Sequence, residues 1–370
     1  NLGFCLPTNR DSFLILLLKN NCNYSTYVKE ELIMLQHLEK KNVTMLPGLF
    51  RERMLVNRNY LLELGTQELL QNYYLEAGIV MPDLQILERP ETAKLHWGWE
   101  APTCQLRGHF LGHWLSAASS LIASENDAAL KAKLDEIISE LARCQELNGG
   151  EWIGPFPEKY FTRLEKELDI WSPQYVMHKL IMGLTHAYLY AGNEQALTIV
   201  RHLADWYIRW TEKVQSTNPH AVYSGEESGM LEMWAQLFET TKDPVYETLA
   251  SRYSNPSLFH NLSEGKDALT NCHTNSSIPW AHGAARMYEV TGDEKYKTIV
   301  ELFWKCAVTD RGYFCTGSAN SGEFWVPPFL SGQYLNDRDQ EFCTVYNMVR
   351  LASYLYRWTG DAKSPFAIVK

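Results

Sequence analysis

From about Arg51 onward, apolar residues recur at the 3.6-residue spacing of amphipathic helices, and strand-like alternation is scarce. The helices come in a repeated unit: an apolar helix rich in Ala, Leu and Tyr, a short polar turn, then a second amphipathic helix. The turns fall at Glu125-Asn126-Asp127, Ala191-Gly192-Asn193, Thr241-Lys242-Asp243, Thr291-Gly292-Asp293 and Thr359-Gly360-Asp361. LTHAYLYAGNEQALTIVRHLADW and GAARMYEVTGDEKYKTIVELFW show the likeness: both place Tyr and small residues before the turn and an apolar stripe after it. Gly ends the first helix by accepting a left-handed backbone, and Asp or Asn caps the next.

Successive turns lie roughly 50 or roughly 67 residues apart, a period that marks repeated supersecondary units. The longer intervals hold Gly-, Pro- and aromatic-rich loops, Gly149 to Pro157 and Arg311 to Asp339, the places where sites tend to lie on a regular scaffold. With the helices around Arg51 to Gly78, the five hairpins predict an all-α chain, an (α/α)6 toroid of helical hairpins over residues 46–370. An open helical solenoid is the alternative. Residues 1–45 lack the pattern and read as an arm or capping segment.

A chain of 370 residues exceeds the usual single-core size, which a large closed ring accommodates. Its formal charge of −10 argues against a nucleic-acid partner. The apolar run Phe13 to Leu18 is too short to span a bilayer and lacks a signal-peptide cleavage pattern, although the chain begins without Met and a leader could have been removed. Eight scattered cysteines without C-x-x-C favour free thiols and a cytoplasmic location. The sequons at Asn23, Asn42, Asn261 and Asn275 matter only in a secreted chain. Twelve Trp suggest sugar-stacking platforms, with core packing the commoner use of any single one.

Four stretches carry candidate chemistry. In LRGHFLGHWLSA, His109 and His113 share one helix face and read as a metal pair or as polar residues hydrogen-bonded in a cavity; no zincin Glu follows His109. His178 opens a helix in WSPQYVMHKL. Glu227 and Glu232 lie in EESGMLEMW, and His273 in NCHTNSSIP. In SGEFWVPP and QEFCTVYNMVRL, Glu323 and Glu341 supply the two carboxylates that glycoside chemistry uses. Glu341 and Cys343 together are possible zinc ligands.

In the order GHFLGHW, FPEKYFTRLE, WSPQYVMHK, SGMLEMW, CHTNSSIP, GAARMYEVTGD, SGEFW, EFCTVYNM and YRWTGD, about Leu46 to Asp361 resembles glycoside hydrolase family 127 and its relative family 146, the non-reducing-end β-L-arabinofuranosidases. The resemblance implies an (α/α)6 barrel followed by β-sandwich domains, and a zinc-supported cysteine nucleophile working with retention. It implies that Glu323 is the general acid/base and that Glu341 and Cys343 are two zinc ligands. It makes His178 a sugar contact and places His273, Glu227 and Glu232 in the pocket, with His109, His113 and Tyr346 as further substrate-binding positions.

In that family the remaining zinc ligand and the nucleophile are adjacent cysteines downstream of the Glu-x-Cys motif, and no Cys follows Cys343 here. The expectation is a chain without the nucleophile or the β-sandwich domains, binding zinc weakly or not at all. Its partner is a carbohydrate, an arabinose-bearing plant glycan, with no nucleic acid and no membrane. A non-catalytic carbohydrate-binding remnant and a helical-repeat protein-binding scaffold are the rival readings.

Overall fold

The computed structural model describes residues 34–36, 38–80, 95–254, 256–312, 320–334, 339 and 341–360. The arm expected over residues 1–45 thus falls largely outside the described residues; its described part includes a 3-10 turn, Lys40–Asn42. The elements are α1 (Leu49–Glu63), α2 (Thr66–Glu76), α3 (His109–Glu125), α4 (Ala128–Leu147), α5 (Lys159–Glu165), α6 (Pro173–Ala191), α7 (Glu194–Thr217), α8 (Met230–Thr241), α9 (Pro244–Arg252), α10 (Ser257–Ser263), α11 (Thr274–Thr291), α12 (Glu294–Trp304) and α13 (Phe342–Thr359). A two-stranded hairpin, β1 (Asn320–Ser321) and β2 (Phe324–Trp325), interrupts the helices. None of the described helices is long and apolar enough to cross a membrane.

The turns form as the sequence predicts. Asn126, Gly192, Lys242, Gly292 and Gly360 all adopt left-handed backbone at the ends of α3, α6, α8, α11 and α13. Asp127, Asn193, Asp243 and Asp293 then cap the next helix, each side chain accepting from a backbone N–H of its first turn. Asn126 and Lys242 pay no glycine's entropy but carry the strain of a positive φ, 53° and 58°.

Each hairpin places one helix inside and one outside. The inner helices follow one another, α3 against α6, α6 against α8, α8 against α11 and α11 against α13, while α4, α7 and α9 line up outside them. This is the helical toroid of the (α/α)6 class, all-α as expected. Two glycines set the tightest joint: a Cβ on Gly112 would sit 2.0 Å from the Lys179 carbonyl oxygen, and one on Gly183 would sit 2.6 Å from that of Gly112. Backbone meets backbone between α3 and α6, so no larger residue fits. The N-terminal ends of the inner helices converge at one end of the barrel, and the site is built there.

Candidate active site

A cavity of about 110 Å³ opens at this end. Four of the sequence-predicted residues line it: His113 on α3, His178 on α6, and Cys343 and Tyr346 on α13. Tyr175, Lys179, Glu226, Ser228 and Asn275 complete much of its wall, and none of these stood out in the sequence as a site residue.

His178 is buried and its Nε2 meets no hydrogen-bond partner among the described residues. Burial, then Lys179, hold it well below the usual histidine range, so it stays neutral. Its ring fits because residue 229 is glycine: a Cβ there would lie 2.3–2.6 Å from three ring atoms. Beside it, the Lys179 ammonium lies 4.7 Å from the centre of the Tyr175 ring. Burial, then Arg350, push this lysine down to about 7. His113 is exposed at the cavity wall yet is held low by burial in the barrel, then by Lys179 and His109.

His109 stands behind His113, their ring centres 6.0 Å apart at right angles. Its Nδ1 faces Glu100 Oε1 at 2.7 Å, a contact that orients the ring. The same carboxylate accepts from the Gly108 N–H at 2.6 Å and the Phe110 N–H at 2.9 Å, satisfying the start of α3. Burial pushes Glu100 up, but His109 and these amides outweigh it and hold the carboxyl below its ordinary value. Glu100 was silent in the sequence because it lies before the helix, in a non-periodic stretch.

The second half of the site is assembled by the hairpin. Gly322 and Glu323 form its two-residue turn, both with positive φ, 54° and 76°, as the tight primed turns require. The hairpin docks on the segment before α11: Thr274 N–H donates to Glu323 O at 2.9 Å, Trp325 N–H to Cys272 O at 3.0 Å, and Asn271 N–H to Trp325 O at 3.0 Å. The Trp325 indole donates to Ser277 Oγ at 2.8 Å. Glu323 is thereby fixed at an exposed tip, its Oε2 3.6 Å from His273 Nε2. Glu341 precedes α13 as its N-cap residue, and its carboxyl is raised by burial and by the nearby charge of Glu323. The Cys343 thiol hydrogen-bonds Glu341, and burial followed by that carboxylate pushes it up to about 11.

Among the described residues no group of three or more His, Cys, Asp and Glu side chains could hold a metal ion, whereas zinc takes at least three protein ligands. Glu341 and Cys343 supply two; Cys315 lies outside the described residues.

The remaining two carboxylates take positions away from the cavity wall. Glu227 is buried, its Oε1 accepting from the Trp280 indole at 3.0 Å, and burial raises it to about 7. Glu232 is buried between Arg350 and the Tyr354 hydroxyl, the latter at 2.8 Å, with His282 Nδ1 at 3.9 Å. Arg350 in turn lies 5.9 Å from the ring centre of Tyr346, so Glu232 reaches the cavity through two intermediates.

Comparison with known proteins bears on this geometry. Residues 42–365 match the family described as β-L-arabinofuranosidase, GH127 catalytic domain. The fold resembles a GH127 β-L-arabinofuranosidase from Geobacillus stearothermophilus T6, with a TM-score of 0.62 and 15% identity over 88% of this chain and 55% of that one. It also resembles a GH127 β-arabinofuranosidase, with a TM-score of 0.63 and 16% identity over 89% of this chain and 52% of that one. The chain spans about half the length of these structures. No curated protein matches it.

Proposed function

The chain belongs to the β-L-arabinofuranosidase family of glycoside hydrolase family 127, and from that premise we propose that its cavity receives a terminal arabinofuranose of a plant glycan. The observation that carries the reading is the convergence of Glu323 with His273, Glu341 and Cys343 at the end of the barrel where His113, His178 and Tyr346 line a sugar-sized space. Glu323 stands where, with a nucleophile present, it would protonate the departing glycosidic oxygen and later activate water. Neutral His178 and the Lys179 amine offer hydrogen bonds to ring hydroxyls, and Tyr346 closes the wall.

A zinc-held thiolate would need more ligands than Glu341 and Cys343, and the described residues bring no group of three or more together. These 370 residues contain no cysteine after Cys343, and by themselves they bind the sugar with little or no turnover. A cytoplasmic location is part of the same reading, supported by cysteines scattered without a disulfide pattern.

The test pairs calorimetric binding of methyl β-L-arabinofuranoside with hydrolysis of an aryl β-L-arabinofuranoside. Binding weakened by His178→Ala, with negligible hydrolysis, is the expected result. Turnover abolished by Cys272→Ala or Cys315→Ala would identify a nucleophile within the chain and overturn the second part. Absence of any binding would overturn the whole.

A further inference from the structure

Two exposed tryptophans precede α3, and one of them, Trp99, touches the His109 ring beside this site. Trp97 and Trp99 are 64% and 65% exposed, although the backbone carrying them is rigidly held. Gln71 is fully buried and spends its whole amide on that backbone: Nε2 donates to His96 O at 2.9 Å and Glu100 O at 2.8 Å, and Oε1 accepts from His96 N–H at 2.8 Å. Asn72, equally buried, donates from Nδ2 to Glu100 O at 2.9 Å. The Glu100 carboxylate is tied to the start of α3 and to His109. These bonds hold the backbone on either side of Trp97 and Trp99, whose side chains stay largely exposed.

The place of Trp99 is set by rings. Its centre lies 6.2 Å from that of His109, inclined by 65°, and His109 is itself in ring contact with His113 of the cavity wall. The cavity sits at the N-terminal ends of the inner helices, and His109 is one helical turn nearer that end than His113. Trp99 thus stands one ring contact beyond His109, which itself touches His113 and Tyr175 of the cavity wall.

We infer that Trp99, with Trp97 beside it, is a stacking platform for the sugar unit linked to the arabinofuranose in the cavity. An indole face offers an apolar, neutral surface to the C–H face of a sugar ring. The occupant is an uncharged saccharide, since the titratable groups next to Trp99, Glu100 and His109, are already paired with each other. The inference rests on the function proposed above, and its test separates the two.

The affinities of the full chain for methyl β-L-arabinofuranoside and for a β-L-arabinofuranosyl disaccharide are compared by calorimetry, in the parent, Trp99→Ala and Trp99→Phe. Trp99→Ala is expected to weaken the disaccharide by about fivefold or more and leave the methyl glycoside unchanged, with Trp99→Phe recovering most of the loss. An unchanged disaccharide affinity in Trp99→Ala, with the parent binding both ligands, overturns the platform and leaves the cavity's function standing. An equal loss for both ligands overturns it too, since Trp99 would then belong to the first subsite. A parent that binds neither ligand overturns the functional reading and the platform with it. Melting temperature guards against misfolding and is expected to stay at the parent value, because the indole is exposed.

Discussion

Arg350 Nη2 lies 2.7 Å from both carboxylate oxygens of Glu232, joining α13 to α8 across the interior of the barrel. Glu232 is almost wholly buried and Arg350 partly so. Glu232→Ala is expected to destabilise by about 3 kcal/mol, because it leaves a guanidinium without its partner. The double variant Glu232→Met with Arg350→Met should cost less than the two single losses combined. Thermal melts of the parent, Glu232→Ala, Glu232→Met, Arg350→Met and the double variant check this. Arg350 and His282 hold the Glu232 carboxyl well below its ordinary value against the effect of burial, so the pair's stabilisation is complete above about pH 4 and is lost as pH falls through the depressed native value.

Glu227 behaves in the opposite sense. Burial raises its carboxyl to about 7, so the native state keeps a proton that the unfolded chain releases near pH 4. Stability must therefore fall as pH climbs from about 4 to about 7, by roughly 3 kcal/mol in total, and level off above. Glu227→Gln retains an acceptor for the Trp280 indole and removes the titration. Its melting temperature is expected to exceed the parent's at pH 8 and approach it at pH 4; parallel curves across that range would refute the assignment.

Two glycine substitutions should separate a structural contact from a site contact. By helix propensity alone, Gly112→Ala would gain about 1 kcal/mol. Its new Cβ would instead strike the Lys179 carbonyl, which cannot step aside, so a loss of about 3 kcal/mol or more is expected. Gly229→Ala strikes only the His178 ring, and residue 229 has an ordinary φ of −84°. It should cost about 1–2 kcal/mol and weaken methyl β-L-arabinofuranoside binding by displacing that ring. Denaturation and calorimetry on both variants give the comparison.

Zinc titration near neutral pH is expected to show no tight stoichiometric site in these 370 residues. Two ligands are too few, and one of them is a thiol pushed up to about 11 that must lose its proton to coordinate. Tight binding abolished by Cys343→Ser would show that other residues complete the site. Tight binding indifferent to that change would place the metal elsewhere.

The repeat made the fold legible, because Gly, Asn or Lys at the helix end followed by Asp or Asn is a local rule that each hairpin obeys by itself. It also carried a clue to the interior: Glu232, His282 and Arg350 each stand ten residues before Lys242, Gly292 and Gly360, the left-handed residues that end their helices. Aligning the hairpins on those residues puts the three in one layer, where they do meet. Glu232, singled out as a pocket residue, belongs to that layer. Glu100, Gln71 and Trp99 obey no such period. Their roles come from a loop folding back on α2 and α3, a non-local arrangement that spacing along the chain does not encode.

The hairpins close over short stretches of chain, whereas the cavity draws on residues from His113 to Asn347. Local helical pairs fold quickly, and contacts between distant stretches wait for the intervening chain. On a ribosome, α3 and α4 can pair long before α13 is made, and until α13 docks there is no Cys343, Tyr346 or Asn347 to finish the cavity. A saccharide that binds there recognises only the completed ring and stabilises it by mass action in proportion to its concentration. Such a saccharide would thus also be a late folding ligand, and the docking of α13 decides whether it has anything to hold.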